Sequence, residues 1–93
     1  MGLYITTNGD MTPIAPKTGK KYSLEQLQEL VGGCIELLQL DASTVLVCDE
    51  EGKLKGYEPN GLATMIFRDS HRFRNTKDFI VGNVLICNTK EID

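Results

Sequence analysis

Tyr22–Cys48, YSLEQLQELVGGCIELLQLDASTVLVC, is the stretch whose reading decides the fold. Ser23 is a good N-cap, and Gln26 three residues later completes the spacing of a capping box. Tyr22 and Leu27 stand at the two positions of a hydrophobic staple. Leu24, Leu27, Leu30 and Val31 recur at helical spacing, with Glu25, Gln26, Gln28 and Glu29 opposite, which predicts an amphipathic helix. Gly32-Gly33 stops it, the first glycine taking the left-handed cap conformation. Cys34–Leu40 then has the length of a strand. Its alternation is imperfect: Ile35 and Leu37 share one face, Glu36 and Leu38 the other. Either a bulge or burial on both faces accounts for that. Asp41-Ala42-Ser43 is a polar turn, and Thr44–Cys48 is a near-continuous apolar run of the kind found where both sheet faces are covered.

Working outward, Leu3–Thr7 is β-rich and is followed by Asn8-Gly9, a strong hairpin signal. Pro13 and Pro16 limit the returning strand to a sheet edge. Thr18–Lys21 reads as a loop. C-terminal to the decisive stretch, Asp49–Lys53 fits a tight turn leading to a short strand at Leu54–Tyr57. Glu58-Pro59-Asn60 breaks the chain, and Asn60 caps a second helix over Gly61–Phe67. Arg68–Asp78 is a polar loop. Phe79–Cys87 is the last strand, with Gly82-Asn83 as a bulge or a turn, and Asn88–Asp93 is a tail. The order ββαβββαβ predicts an α+β fold in which one mainly antiparallel sheet is packed by one or two helices, the first of them laying Leu24, Leu27, Leu30 and Val31 on it. At 93 residues the chain suits a single domain over 1–93. A chain of this size buries roughly 64% of its unfolded surface, enough for one core and no second.

Charge is mild at −3, but it is unevenly placed. Arg68, Arg72, Arg74 and Lys77 with Asp69 make a segment of +3, leaving −6 elsewhere, which argues against a uniform polyanion-binding surface. Arg72-Phe73-Arg74 joins guanidinium groups to an aromatic ring, a combination suited to stacking and phosphate contact. Arg68, Arg72, Phe73, Arg74 and Lys77 are therefore the candidate anion or nucleic-acid site. The opposing reading is a solvated loop with Phe73 tucked onto the core.

Other chemistry lacks its residues. His71, the one histidine, sits beside Asp69 and Ser70, but a triad is a spatial arrangement and adjacent residues do not form one. Cys34, Cys48 and Cys87 are widely spaced and odd in number, which fits neither a disulfide framework nor a zinc knuckle. Their apolar flanks predict small buried residues in a reducing compartment. Asp49-Glu50-Glu51 lacks a calcium-loop context. Lys17–Lys21 lacks the upstream glycine and the following hydroxyl of a P-loop. Neither a catalytic set, a metal site nor a cofactor is expected. No secretory signal is visible and no stretch nears the ~20 apolar residues that span a bilayer, so a cytoplasmic chain without membrane contact is expected.

Leu24–Val31 with Gly32-Gly33-Cys34-Ile35-Glu36, then Val45–Gly52 (VLVCDEEG), Lys53-Leu54, Tyr57-Glu58-Pro59-Asn60 and Val81-Gly82-Asn83 together resemble a family of small domains of unknown function. Its members occur largely in bacteriophage, plasmid and other mobile-element genes of bacteria. They commonly carry LQxLVGGxIE, a strand, an N/D-E-E-G-K-L turn and a P-N pair. The resemblance covers about residues 22–87 and implies a small accessory protein of a mobile element, with no activity or catalytic residue to carry over. The leading functional expectation is a non-enzymatic module that binds a host protein or a small ligand stoichiometrically. The alternative is a nucleic-acid or nucleotide-binding module using residues 68–77, and a small enzyme ranks third. A free sheet edge would also allow a homodimer.

Overall fold

A computed structural model describes residues 1–92. Among these, β1 (Gly2–Ile5), β2 (Met11–Ile14), α1 (Leu24–Val31), β3 (Ile35–Gln39), β4 (Thr44–Asp49), α2 (Gly61–Asp69) and β5 (Val84–Asn88) follow in order. The strands form one sheet in the order β2-β1-β5-β4-β3, and every neighbouring pair is antiparallel. The α+β class and the single antiparallel sheet are as the sequence predicts.

The sheet is covered on both faces. Successive residues of β4 point to opposite sides. Val45 and Val47 pack with Tyr22, Leu27 and Val31 on the α1 face. Leu46 and Cys48 pack with Ala63, Phe67 and Ile80 on the α2 face. This is why Thr44–Cys48 is apolar throughout. It also corrects the expectation of one core, because the sheet divides the interior into two apolar clusters.

Both helices are capped as read. The Ser23 hydroxyl accepts from the Gln26 amide at 3.1 Å, and Gly32 closes α1 at φ 98°. The Asn60 side chain accepts from the Ala63 amide at 3.0 Å. The capping box, however, is only half formed. Gln26 is buried, and its side chain donates to Ala15 O and accepts from the Lys17 amide, both at 3.0 Å. It ties the strand–helix connection to α1 instead of reaching back to Ser23. Leu24 is a second correction. It is 55% exposed, whereas Leu27 and Val31 are buried and Leu30 partly so. At the first helical position its side chain points back past the sheet contact.

Three further readings change. Glu50–Gly56 is a run of turns and no strand forms at Leu54–Tyr57; the Tyr57 amide closes the run onto Gly52 O at 3.1 Å. The last strand starts at Val84, not Phe79, because residues 80–82 are held elsewhere. Ile80 O accepts from the Asn60 amide and the Gly82 amide donates to Glu58 O, both at 2.8 Å. Cys34 is exposed, while Cys48 and Cys87 are buried as expected. Within the stretch read as a tail, a single 3-10 turn at Thr89–Glu91 docks against the start of α1, where Glu91 O accepts from the Tyr22 amide at 2.7 Å. Asp93, the last residue of that expected tail, lies outside the described residues.

The difference between two leucines of α1 is testable. Leu27→Ala should cost about 3 kcal/mol in urea unfolding, and Leu24→Ala less than about 0.5 kcal/mol. Equal costs would contradict the orientation of the helix.

Candidate functional site

Two places gather polar and aromatic side chains. The first lies where α1 ends over the start of the 50–56 turns. Asp49 is the last residue of β4, and its side chain is 1% exposed. Its Oδ2 accepts from Lys55 Nζ at 2.7 Å and from the Tyr57 hydroxyl at 2.9 Å, and its Oδ1 accepts from the Glu51 amide at 2.8 Å. Burial alone would push this carboxyl up; the Lys55 ammonium, the Glu51 amide and the Tyr57 hydroxyl outweigh burial and hold it below the usual carboxylate range.

Three glycines make room for the tyrosine. A Cβ at Gly32 would come within 2.7 Å of the Tyr57 hydroxyl, one at Gly82 within 2.6 Å of its ring, and one at Gly52 within 3.3 Å. A Cβ at Gly33 would lie 2.9 Å from Asp49 Oδ2 and would overlap Lys55 Nζ. Asn60 finishes the arrangement. It is fully buried, and its amide nitrogen donates to Ile5 O at 3.1 Å and to Gly82 O at 2.9 Å. Each of these polar groups is satisfied within the chain, so this cluster is a clasp that fixes both helices to one end of the sheet.

The second place is a cleft of about 250 Å3 on the α2 face. Leu38, Phe67, Phe73 and Ile80 supply its apolar wall, with Glu36, Cys48 and Thr76 around them. The 50–56 turns form one lip and residues 76–81 the other. The Lys53 ammonium pairs with the Asp78 carboxylate across the gap and lies 4.4 Å from the centre of the Phe79 ring. That lysine, with the Phe79 amide, holds Asp78 below the usual carboxylate range. Leu54 stands at the lip 87% exposed, and Phe79 beside it is also exposed. Burial, together with Glu36 and Asp49, pushes the Cys48 thiol up to about 12. At neutral pH it is a protonated, weakly nucleophilic wall group.

The predicted basic segment is divided. Arg68 is in the last turn of α2, with Nε donating to Asp78 O at 2.8 Å and a terminal nitrogen to Lys77 O at 2.9 Å. Phe73 turns inward, its ring centre 4.6 Å from that of Phe67. Arg72, Arg74 and Lys77 are exposed. Arg72 lines a shallow depression with His71, Gln39, Asp41 and Thr89, on the far side of Phe73 in sequence from Lys77. The structure thus brings Arg68 and Lys77 together through a backbone carbonyl and leaves the Phe73 ring packed on α2.

Leu54 and Phe79 were missed as surface features because both were read as strand residues. The available signal was a lone leucine between two lysines in Glu50–Gly56 (EEGKLKG), a turn too polar to bury it. Among the described residues no group of His, Cys, Asp and Glu is arranged to hold a metal ion. Nor is any helix among them long and apolar enough to cross a membrane.

Fold and cleft together define a three-layer α+β domain with a small, apolar-walled surface cleft and a buried polar clasp. Residues 3–93 match the family model of a domain of unknown function, DUF3846, and the chain belongs to that family. No curated protein and no solved structure matches it significantly.

The clasp predicts an acid-side stability loss. Because the Asp49 carboxyl sits below its ordinary value of 3.8 when folded, its contribution is complete above about pH 4 and is lost as pH falls through the lower folded value. Asp49→Asn should lower stability at pH 7 by about 2 kcal/mol and flatten the fall in melting temperature below pH 4. An acid limb as steep as that of the wild type would contradict this.

Proposed function

We propose that the domain is a non-catalytic binding module that receives one apolar side chain, from a partner protein or a small ligand, in the cleft between the 50–56 turns and residues 76–81. The observation that carries the reading is the exposed pair Leu54 and Phe79 at the mouth of an apolar-walled recess. Exposing a leucine at 87% on a charged turn gives the monomer no burial in return. Placed at a recess, it provides a partner with a contact on each side of the inserted group. At about 250 Å3 the cleft is smaller than the ~300–1,000 Å3 of sites for drug-sized ligands, which suits one side chain or a compact ligand. The Lys53–Asp78 pair and Glu36 at the rim would orient the polar part of such a group. The resemblance of the sequence to domains from phage and plasmid genes supports a role as an accessory protein of a mobile element, acting by stoichiometric binding.

Two model probes, N-acetylleucinamide and N-acetylphenylalaninamide, test the site by amide chemical-shift mapping. The expected outcome is a set of shifts centred on Leu38, Leu54, Phe79 and Ile80, weakened at least ~3-fold by Leu54→Ser or Phe79→Ser at unchanged melting temperature. Shifts scattered over the surface, or binding indifferent to both substitutions, would refute the site. A short single-stranded oligonucleotide added in parallel addresses the alternative. Salt-sensitive shifts confined to residues 68–77 would favour nucleic-acid binding instead.

A further inference from the structure

We propose that the domain self-associates through the free edge of β3, pairing antiparallel with β3 of a second copy about a two-fold axis at Leu37. The two ends of the sheet differ. At one end, β2 has four residues and includes Pro13, which removes a donor and blunts the edge. At the other, β3 has five residues, no proline and one charge, Glu36.

The ladder fixes which groups face outward. Cys34 O accepts from the Glu50 amide and the Leu40 amide donates to Thr44 O, both at 2.8 Å. Even-numbered positions therefore turn their backbone groups toward β4. Ile35, Leu37 and Gln39 turn theirs away. Among the described residues nothing pairs with these outward groups, and Leu37, in the middle, is 47% exposed.

The edge sequence is complementary to itself in one register. Centred on Leu37, the pairing sets Leu37 against the second copy's Leu37, Ile35 against its Gln39, and Glu36 against its Leu38. All five residues engage, and no two charges stand opposite. Centring on Glu36 would oppose two carboxylates in the closest type of cross-strand pair, which is unfavourable. Centring on Leu38 would pair Ile35 with the second copy's Asp41. That residue lies beyond the strand, and its carboxylate is already committed to the Ser43 and Thr44 amides at 2.9 Å. An axis normal to the sheet keeps both α1 helices on one face and both clefts on the other. The inference stands on the edge geometry and is independent of what the clefts bind.

Sedimentation at high-micromolar protein tests it. The wild type should run as a dimer in equilibrium with monomer. Leu37→Pro deletes an outward N–H that the β3–β4 ladder does not use. It should weaken self-association at least ~10-fold while the dilute monomer keeps its melting temperature. Leu37→Lys and Leu37→Glu, each alone, should be monomeric, because like charges then meet at the axis. Mixing the two should restore a dimer. A wild type that stays monomeric, a dimer that survives Leu37→Pro, or lysine and glutamate variants that fail to rescue each other would overturn the proposal.

Discussion

The buried Asp49 carboxylate is the constraint on which the rest of the structure depends. A charge almost wholly removed from water at the end of a strand is unfavourable unless it is paired and hydrogen-bonded. Asp49 recruits its partners from the eight residues that follow it: the Glu51 amide, the Lys55 ammonium and the Tyr57 hydroxyl. That recruitment curls Glu50–Gly56 into successive turns. It also brings the Tyr57 ring against Gly32, Gly52 and Gly82, so one side chain touches the end of α1, the turn and the lead-in to β5. Three residues further on, Asn60 starts α2 and holds Ile5 O and Gly82 O. A single polar cluster thus sets where both helices meet the sheet.

The two-faced sheet explains the remaining surface. With α1 over one face and α2 over the other, β4 and β5 are buried on both sides, and the outer strands carry what is left over. The cleft opens where the α2 layer stops short of β3, and the folded-back turn supplies the missing wall. Its lip is therefore a by-product of the clasp: the turn that satisfies Asp49 also lifts Leu54 into solvent. Phe73, partly buried, packs its ring beside Phe67 and lends one side of it to the cleft wall.

Much of this was legible locally. Ser23, Gly32 and Asn60 act within a few residues of themselves, so their capping roles could be read from spacing, and the unbroken apolar run Val45–Cys48 announced a strand covered on both faces. The misreadings share a cause, which is a partner distant in sequence. Gln26 has helical spacing for solvent, yet it is buried because Ala15 and Lys17 need its amide. Leu54–Tyr57 has the composition of a strand, yet Asp49 claims Lys55 and Tyr57 for the clasp. Phe79–Asn83 continues an apolar run, but Glu58 and Asn60 hold its backbone before it can join the sheet. The glycine pair was correctly read as a helix stop, but its second member has another role that spacing could not reveal, which is to leave room for an ion pair from residues 49 and 55.

That last role gives the most direct test of the central claim. A double-mutant cycle in urea should combine Gly33→Ala with Asp49→Ala. If the clasp governs this corner, the alanine methyl at position 33 is harmful because it meets the Asp49 carboxylate and its lysine. The single substitution should then cost about 1–3 kcal/mol, and most of that cost should disappear in the Asp49→Ala background, leaving a coupling of at least ~1 kcal/mol. Strictly additive costs would mean that Gly33 and the buried carboxylate are independent, and the clasp would lose its place at the centre of the fold.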